Sequence, residues 1–301
     1  MKKSLLFAAA LFATVAVNAQ TVVWPCETAT DDGKNITADQ FNAAIVGSVE
    51  GSTTITATNV TAGSGIISPA TTCQKSWKDA AGTSTVYGAE ATPAIVKWAP
   101  TVATEAAIKV LDDAYDAGQY VDFKIEEGDL NKVLSLASVS FDAVRLGTDA
   151  VRINVKLLAE GDSEYESDWL INADNWSTVS DGIGSWVVST GAEGEILGCQ
   201  PSREDASKPN SANGKTSYTI PAPADFPASA YSATLRICVY GIGNNKALGL
   251  HNVKFNLGTT GINDVTVNKA DVNAPIYNLA GQRVNNSFKG IAIQNGKKFI
   301  K

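Results

Sequence analysis

Short segments in which apolar and polar residues alternate recur through most of the 301-residue chain. The clearest lie at 120–125 and 150–157, while 53–60 is rich in β-branched residues. Successive side chains of a strand point to opposite faces, so this pattern indicates half-buried strands rather than helices. Further strands are predicted over 138–146, 185–189, 217–220, 233–240 and 250–257. The sequence therefore predicts an all-β fold, an antiparallel β-sandwich or jelly roll with a small C-terminal β tail.

Helical spacing is weak and confined to two places. Residues 37–44 and 106–114 have apolar residues at helical intervals, but Asp112, Asp113 and Gly118 soon interrupt the second segment. We expect a turn or two of helix at each.

The two ends of the chain differ from its middle. Lys2 and Lys3 precede an apolar run, 5–17, that is too short to span a bilayer and ends in small residues at 17–19. Residues 1–19 are therefore predicted to be a signal peptide, leaving no transmembrane segment after cleavage. A β-sandwich domain is predicted over 20–258, a linker over 259–274 and a short β segment over 275–301. The expected location is extracellular or on the cell surface, reached through the periplasm.

Composition argues against several kinds of function. A single histidine among 301 residues cannot build a multi-histidine metal site, and no nucleophile motif accompanies it. The net charge of −7 argues against nucleic acid as a partner, because a phosphate backbone attracts a basic surface.

The four cysteines would meet an oxidising compartment after export, where disulfides are the default expectation. Pairing Cys26 with Cys73 and Cys199 with Cys238 closes the shorter loops, although three connectivities are open. Buried free thiols are the alternative, since a core of this size does not require disulfides.

The tail resembles a known class of export signal. Its segments IYNLAGQRV (276–284), GIAI (290–293) and GKK (296–298) are similar to the C-terminal sorting segments of proteins that Bacteroidetes secrete by the type IX system. The resemblance implies that secretion machinery is a partner, with the tail either cleaved or anchored. A small accessory β-subdomain is the alternative interpretation.

The main domain also has a resemblance. Segments 139–149, 153–157 and 233–253 are similar to the β-sandwich modules attached to secreted Bacteroidetes pectate lyases and related polysaccharide-degrading proteins. In those proteins the catalytic lyase is a separate domain. The resemblance therefore implies an ancillary, glycan-associated module without lyase activity.

Aromatic residues are the candidate ligand contacts, because a sugar ring stacks on an aromatic face while polar side chains meet its hydroxyls. Trp169 and Trp176 flank a turn-like segment with Tyr165 beside them, and Trp77 lies in a polar stretch. Packing or cover of a hairpin is the competing interpretation of each. Trp24 and Trp98 stand among apolar strand residues and are predicted to be core.

Four acidic residues recur at every second position: Asp162, Glu164, Glu166 and Asp168. In an extended strand they would share one face, where carboxylate oxygens suit calcium. A solvated strand edge that resists aggregation explains them equally well.

These observations favour a secreted, non-catalytic glycan-binding protein associated with polysaccharide use, with a pectin-like or other plant or host polysaccharide or oligosaccharide as partner. A structural or adhesive surface protein that binds other proteins is the alternative. A small extracellular lyase is the third hypothesis, with a base among Arg203, Lys208, Lys215 and Tyr218, which lie close together in the sequence.

Overall fold

The computed structural model describes residues 20–30, 34–52, 54–74, 76–78, 84–86, 94–129, 132–146, 151–181, 185–191, 194–200, 215–258, 276–278, 282–284, 289, 291–294 and 297–300. For 76–78, 84–86, 185–191, 194–200, 291–294 and 297–300 the description covers the backbone alone. The predicted signal peptide, 1–19, and the predicted linker, 259–274, lie outside the described residues. The chain divides into two compact units, Met1–Thr259 and Thr260–Lys301.

The strands described in the first unit are, in chain order, β1 (Gln20–Trp24), β2 (Glu27–Thr28), β3 (Ser48–Glu50), β4 (Ile55–Ala57), β5 (Thr61–Ala62), β6 (Cys73–Gln74), β7 (Ser76–Lys78), β8 (Ser84–Val86), β9 (Ala94–Trp98), β10 (Tyr120–Glu127), β11 (Leu136–Leu146), β12 (Arg152–Glu160), β13 (Glu164–Glu166), β14 (Ser185–Gly191), β15 (Gly194–Gln200), β16 (Lys215–Pro221), β17 (Ser232–Tyr240) and β18 (Ala247–Leu257). The helices are α1 (Ala38–Ala44), α2 (Leu111–Asp116) and α3 (Trp176–Val179), with a 3-10 turn at Thr104–Ala106.

Two large antiparallel sheets are built from these strands. The first sheet has the order β16-β11-β18-β1-β3, with β9 beside β18 and both β2 and β6 beside β9. The second sheet has the order β14-β15-β12-β17-β10-β4, with β13 beside β12 and β5 beside β10. Strands β7 and β8 form a separate hairpin. The predicted all-β antiparallel sandwich is confirmed.

The core lies between the inner faces of the two sheets. On β10, Val121, Phe123 and Ile125 are buried, and they alternate with half-buried polar residues. Trp24 on β1 is fully buried and packs edge-on against Phe123 of the second sheet and Phe255 of the first. Aromatic burial of this kind excludes a large apolar area from water, so Trp24 joins the two layers. The core positions predicted for Trp24 and Trp98 are confirmed.

Local sequence explains where the helices begin. Thr37 accepts a hydrogen bond from the Gln40 N–H, and the Gln40 side chain accepts one from the Thr37 N–H, so α1 begins at a capping box. The second helix is shorter than the predicted segment 106–114 and starts only at Leu111. The strand predicted over 53–60 is likewise reduced to β4.

The second unit contains a four-stranded antiparallel sheet among its described residues. Its strands are β19 (Ile276–Asn278), β20 (Arg283–Val284), β21 (Ile291–Gln294) and β22 (Lys297–Ile300), in the order β20-β19-β21-β22. The expected β tail is confirmed. Across the described part of both units, no helix is long and apolar enough to cross a membrane.

Neither predicted cysteine pair is formed. Cys26 and Cys238 are buried free thiols. Cys73 pairs with Val96 on β9, and the Val96 N–H donates to the Cys26 carbonyl from the other side, so β9 separates Cys26 from Cys73. Two strand spacings amount to about 9–10 Å. That distance exceeds the limit of about 7 Å between the Cα atoms of a disulfide.

The same obstacle separates the other pair. Cys199 lies opposite Ile153 of β12, and Cys238 lies opposite Asn154 on the far side of that strand. Successive residues of β12 also point to opposite faces. The pairing by shortest loop is wrong because loop length alone does not detect an intervening strand.

We expect thiol labelling to reflect this arrangement. Burial raises the pKa of the Cys238 thiol to about 12 and also raises that of Cys26, so little reactive thiolate forms at neutral pH. Alkylation of the native full chain should spare Cys26 and Cys238, and alkylation in denaturant without reductant should modify both. Peptide mapping by mass spectrometry measures this. Recovery of a Cys26–Cys73 or Cys199–Cys238 linked peptide would contradict the structure.

Candidate functional site

A polar surface covers the outer face of the second sheet, opposite the core. Because Val121 and Phe123 point inward, Tyr120, Asp122 and Lys124 of β10 point outward. Strand register aligns Asp122 with Arg236 of β17, and Arg236 in turn lies opposite Lys156 of β12. Asp122, Arg236 and Lys156 therefore lie side by side on three adjacent strands.

A cleft of about 410 Å³ opens on this surface. Its lining is mostly polar and comes from β10, β12, β13 and β17: Asp122, Leu158, Ala159, Glu160, Glu164, Tyr165, Glu166, Ser232, Thr234 and Arg236. Since all four strands belong to one hydrogen-bonded sheet, the cleft has a rigid floor.

Arg236 is held by three side-chain hydrogen bonds. Its Nε and Nη2 donate to the two carboxylate oxygens of Asp122 at 2.8 and 2.7 Å, and its Nη1 donates to the Tyr115 hydroxyl at 3.0 Å. The guanidinium also stacks on Tyr120, 3.8 Å from the ring centroid. Burial opposes the charge, but these bonds raise the pKa of Arg236 above its ordinary value. The cation is therefore permanent and oriented.

Both neighbouring lysines are also engaged. Lys124 Nζ lies 2.8 Å from Glu126 and 2.9 Å from Glu160. Lys156 Nζ donates to Glu166 at 2.5 Å, and this bond lowers the pKa of Glu166. Each ammonium group is thus neutralised by carboxylates of the same surface.

Tyr165 is the aromatic residue of the lining, and neighbouring side chains hold it in place. Its hydroxyl donates to Asp225 at 3.1 Å, and its ring packs edge-on against Phe226. Burial, followed by the hydrogen bond to Asp225, raises the pKa of Tyr165 to about 12. The phenol stays neutral at physiological pH, so it can position a ligand but cannot act as a base there.

Trp169 borders this surface but is used for packing. Its indole N–H donates to Asp112 at 3.0 Å, and its ring packs against Tyr115. Lys156 Nζ lies 4.8 Å from the ring centroid. Part of the ring is therefore already covered by protein.

The other two tryptophans predicted as ligand contacts are Trp176 and Trp77. Trp176 begins α3 and packs against the main core, whereas Trp169 belongs to a separate cluster under α2 on the outer face. The structure therefore does not bring Trp169 and Trp176 together. The side chain of Trp77 lies outside the described residues, and its role as a ligand contact stays a prediction.

The predicted calcium cluster is not assembled. Asp162, Glu164, Glu166 and Asp168 are exposed, and Glu166 is bonded to Lys156 and to the Tyr115 hydroxyl. Among the described residues no three acidic, histidine or cysteine side chains converge into a metal-binding group. Carboxylates at every second position of an extended segment follow one another along it, and their oxygens do not converge on one ion.

Two cleft features were missed by the sequence-based predictions. Arg236 was not singled out, because a basic residue in an alternating strand carries no local sign of its partners. Tyr231 is 45% exposed and directly precedes Ser232 of the lining, and its N–H donates to the Glu160 carbonyl. An aromatic residue in the turn before a strand was a signal that could have found it.

A second polar cluster surrounds the single histidine on the first sheet. His251 Nδ1 lies 3.0 Å from Asp142, and its Nε2 lies 2.5 Å from Glu27. Asp142 also accepts from the Ser217 hydroxyl at 2.6 Å and forms an ion pair with Lys215 at 3.4 Å. The cluster ties β2, β11, β16 and β18 together.

A bulge in β18 places His251 in this cluster. The register advances by two residues in β11, from Ser140 to Asp142, but by three in β18, from Lys254 to His251. Asn252 takes a positive φ of 48° at this step. An extra residue of this kind reverses the alternation of the strand, so His251 faces outward with Asp142.

The cluster does not have the geometry of a serine triad. The Ser217 hydroxyl donates to Asp142 rather than to His251, and the described contacts of the imidazole are to two carboxylates and to the side-chain amide of Asn252. A triad requires the histidine between the nucleophile and the acid. Tyr218, proposed as a base for the lyase hypothesis, is 1% exposed and stacks on Phe141 in the core.

We expect Asp142 to make the protein sensitive to acid. Burial alone would raise the pKa of Asp142, but hydrogen bonds from His251 and Ser217 lower it below the ordinary value of 3.8. The ionised form therefore stabilises the fold above that pH, and this contribution is lost as the pH falls through the folded-state pKa. Asp142→Asn should reduce the free energy of unfolding at neutral pH by about 2 kcal/mol.

Urea unfolding at about pH 7 and about pH 3 measures both effects, because the variant should lose less stability on acidification than the parent. Asp174→Asn, at an exposed turn position, is the control. Equal acid dependence in parent and Asp142→Asn would contradict the assignment.

Comparison with known proteins gives little beyond this geometry. No protein-family model matches the chain, and no curated protein matches it. Among solved structures, the enzymatically active domain of tailspike protein 4 of bacteriophage CBA120 is similar, with 11% sequence identity and a TM-score of 0.28. The match covers 68% of this chain and 20% of the tailspike chain. A likeness at this level leaves the function to be argued from the site.

Proposed function

We propose that the protein is a non-catalytic glycan-binding protein and that the cleft on the second sheet is its binding site. The observation that carries this proposal is the lining, which combines hydroxyls, carboxylates and the oriented guanidinium of Arg236 with the ring of Tyr165. Sugars present many hydroxyls that both donate and accept hydrogen bonds. Such a lining offers complementary groups on a fixed sheet.

The pairing of the cations on this surface argues against a phosphate-bearing ligand. A phosphate group would need unpaired cationic or N–H donors. Arg236, Lys124 and Lys156 are each held by carboxylates, so a nucleotide gains little here.

Two tyrosines are the best candidates for stacking on a sugar face. Tyr165 is the aromatic residue of the lining, and Tyr231 is exposed directly before Ser232, the first β17 residue of the lining. They replace the tryptophan pair in the proposal, because Trp169 and Trp176 are engaged in packing.

Location completes the proposal. The signal-peptide pattern of 1–19 and the resemblance of 276–298 to a type IX sorting segment support an extracellular or cell-surface protein whose tail is recognised by secretion machinery.

Glycan binding is tested by screening the full chain on a glycan array and titrating the best oligosaccharide by calorimetry. Tyr165→Ala and Tyr231→Ala should each weaken binding by about ten-fold, or about 1.4 kcal/mol, because each removes a stacking surface. Tyr277→Ala is the matched control, since Tyr277 is also exposed but neither lines the cleft nor adjoins a lining residue in the sequence.

Unchanged affinity in both Tyr165→Ala and Tyr231→Ala would show that the glycan binds at another site. A silent array, from protein shown to be folded by circular dichroism, would overturn glycan binding and favour the structural or adhesive alternative.

A further inference from the structure

The charges of the cleft restrict the kind of glycan that it can hold. Four carboxylates line it, from Asp122, Glu160, Glu164 and Glu166, against the single guanidinium of Arg236. Polyuronates such as pectin carry one carboxylate per sugar. A ligand of that kind would bring like charges into an already acidic cleft.

Among the described residues of this surface, Arg236, Lys124 and Lys156 are already paired with carboxylates and do not offset that repulsion. Asp122 occupies Arg236 through two hydrogen bonds, Glu160 and Glu126 share Lys124, and Glu166 holds Lys156. An incoming carboxylate would have to displace one of these pairs. Bidentate pairs of the Arg236 type are among the strongest polar contacts in proteins.

Glu164 is the remaining charge. It lines the cleft, its side chain is exposed, and it forms no ion pair with the described residues. Its neighbour Glu160 already shares a lysine with Glu126, so the acidic field at this end of the cleft is only partly neutralised. The cleft is therefore prepared for a group that is positively charged and donates hydrogen bonds.

We infer that the glycan carries protonated amino groups, as in an oligomer of glucosamine, with Glu164 pairing with an ammonium group. This inference rests on the proposed glycan-binding function and names its ligand class. It replaces the expectation of a pectin-like ligand. Sugar hydroxyls can contact Ser232, Thr234 and Arg236 whether or not the sugar carries an amino group. The amino group therefore adds selectivity to contacts that neutral sugars also make.

Three hexasaccharides test the inference by calorimetry on the full chain at about pH 6, where the carboxylates are ionised. Oligomers of glucosamine and of N-acetylglucosamine differ only in the acetyl group that removes the charge, and oligogalacturonate reverses the charge. We expect the glucosamine oligomer to bind about five-fold or more tightly than its acetylated counterpart, and oligogalacturonate to bind most weakly. The preference should shrink with added salt.

Glu164→Gln should lower the ratio of the affinities for the glucosamine oligomer and its acetylated counterpart toward unity. Glu50→Gln, on β3 of the other sheet, makes the same charge change outside the cleft and should have no effect.

Equal binding of the two glucosamine oligomers, or tighter binding of oligogalacturonate, would overturn the inference while leaving glycan binding in place. Failure of the glucosamine oligomer to bind would also overturn it. In that case a neutral glycan that still binds on the array retains the proposed function, and a silent array removes both.

Discussion

Contact between the two sheets through Trp24 is the interaction on which the rest of the molecule depends. The indole lies 5.6 Å from the ring of Phe123 and 5.8 Å from that of Phe255, measured between centroids, and so touches both layers. Space for it is provided by Gly47, because a Cβ there would come within 2.7 Å of the indole. Once these rings are in place, a one-residue shift of either strand would turn its apolar side chains into water.

Because one face of the second sheet packs against the core, its other face can carry polar side chains. On β10 the inward Phe123 packs against Trp24, and the outward Asp122 lines the cleft. The same hydrogen bonds that hold the sheet therefore hold the spacing of the charged side chains. A ligand in the cleft would meet groups that need little reordering, which reduces the entropic cost of binding.

The fold could be predicted from local pattern because burial and strand alternation produce the same signal. Segments such as 120–125 and 233–240 show it, and both are strands of the second sheet. Cysteine pairing could not be predicted, since it depends on which strand lies between two others. The position of β9 between Cys26 and Cys73 is a property of the topology alone.

The candidate site was foreseen in part, for the same reason. Tyr165, Glu164 and Glu166 were recognised from their sequence neighbourhood, and they line the cleft. Arg236 comes from a strand about seventy residues later in the chain, and only the register with Asp122 brings it there. Trp169 and Trp176 looked equivalent in sequence, but they pack on opposite sides of the second sheet.

The bulge at Asn252 changes which residues of β18 face the core. Before it, Leu248 and Leu250 are the core residues, and after it Val253, Phe255 and Leu257 are, so inward positions change from even to odd numbers. The strand is thus two half-strands of opposite parity joined by one residue. The number of residues at the bulge is therefore as constrained as their chemistry. Deleting one residue there would keep every hydrophobic side chain of β18 but turn those on one side of the bulge away from the core.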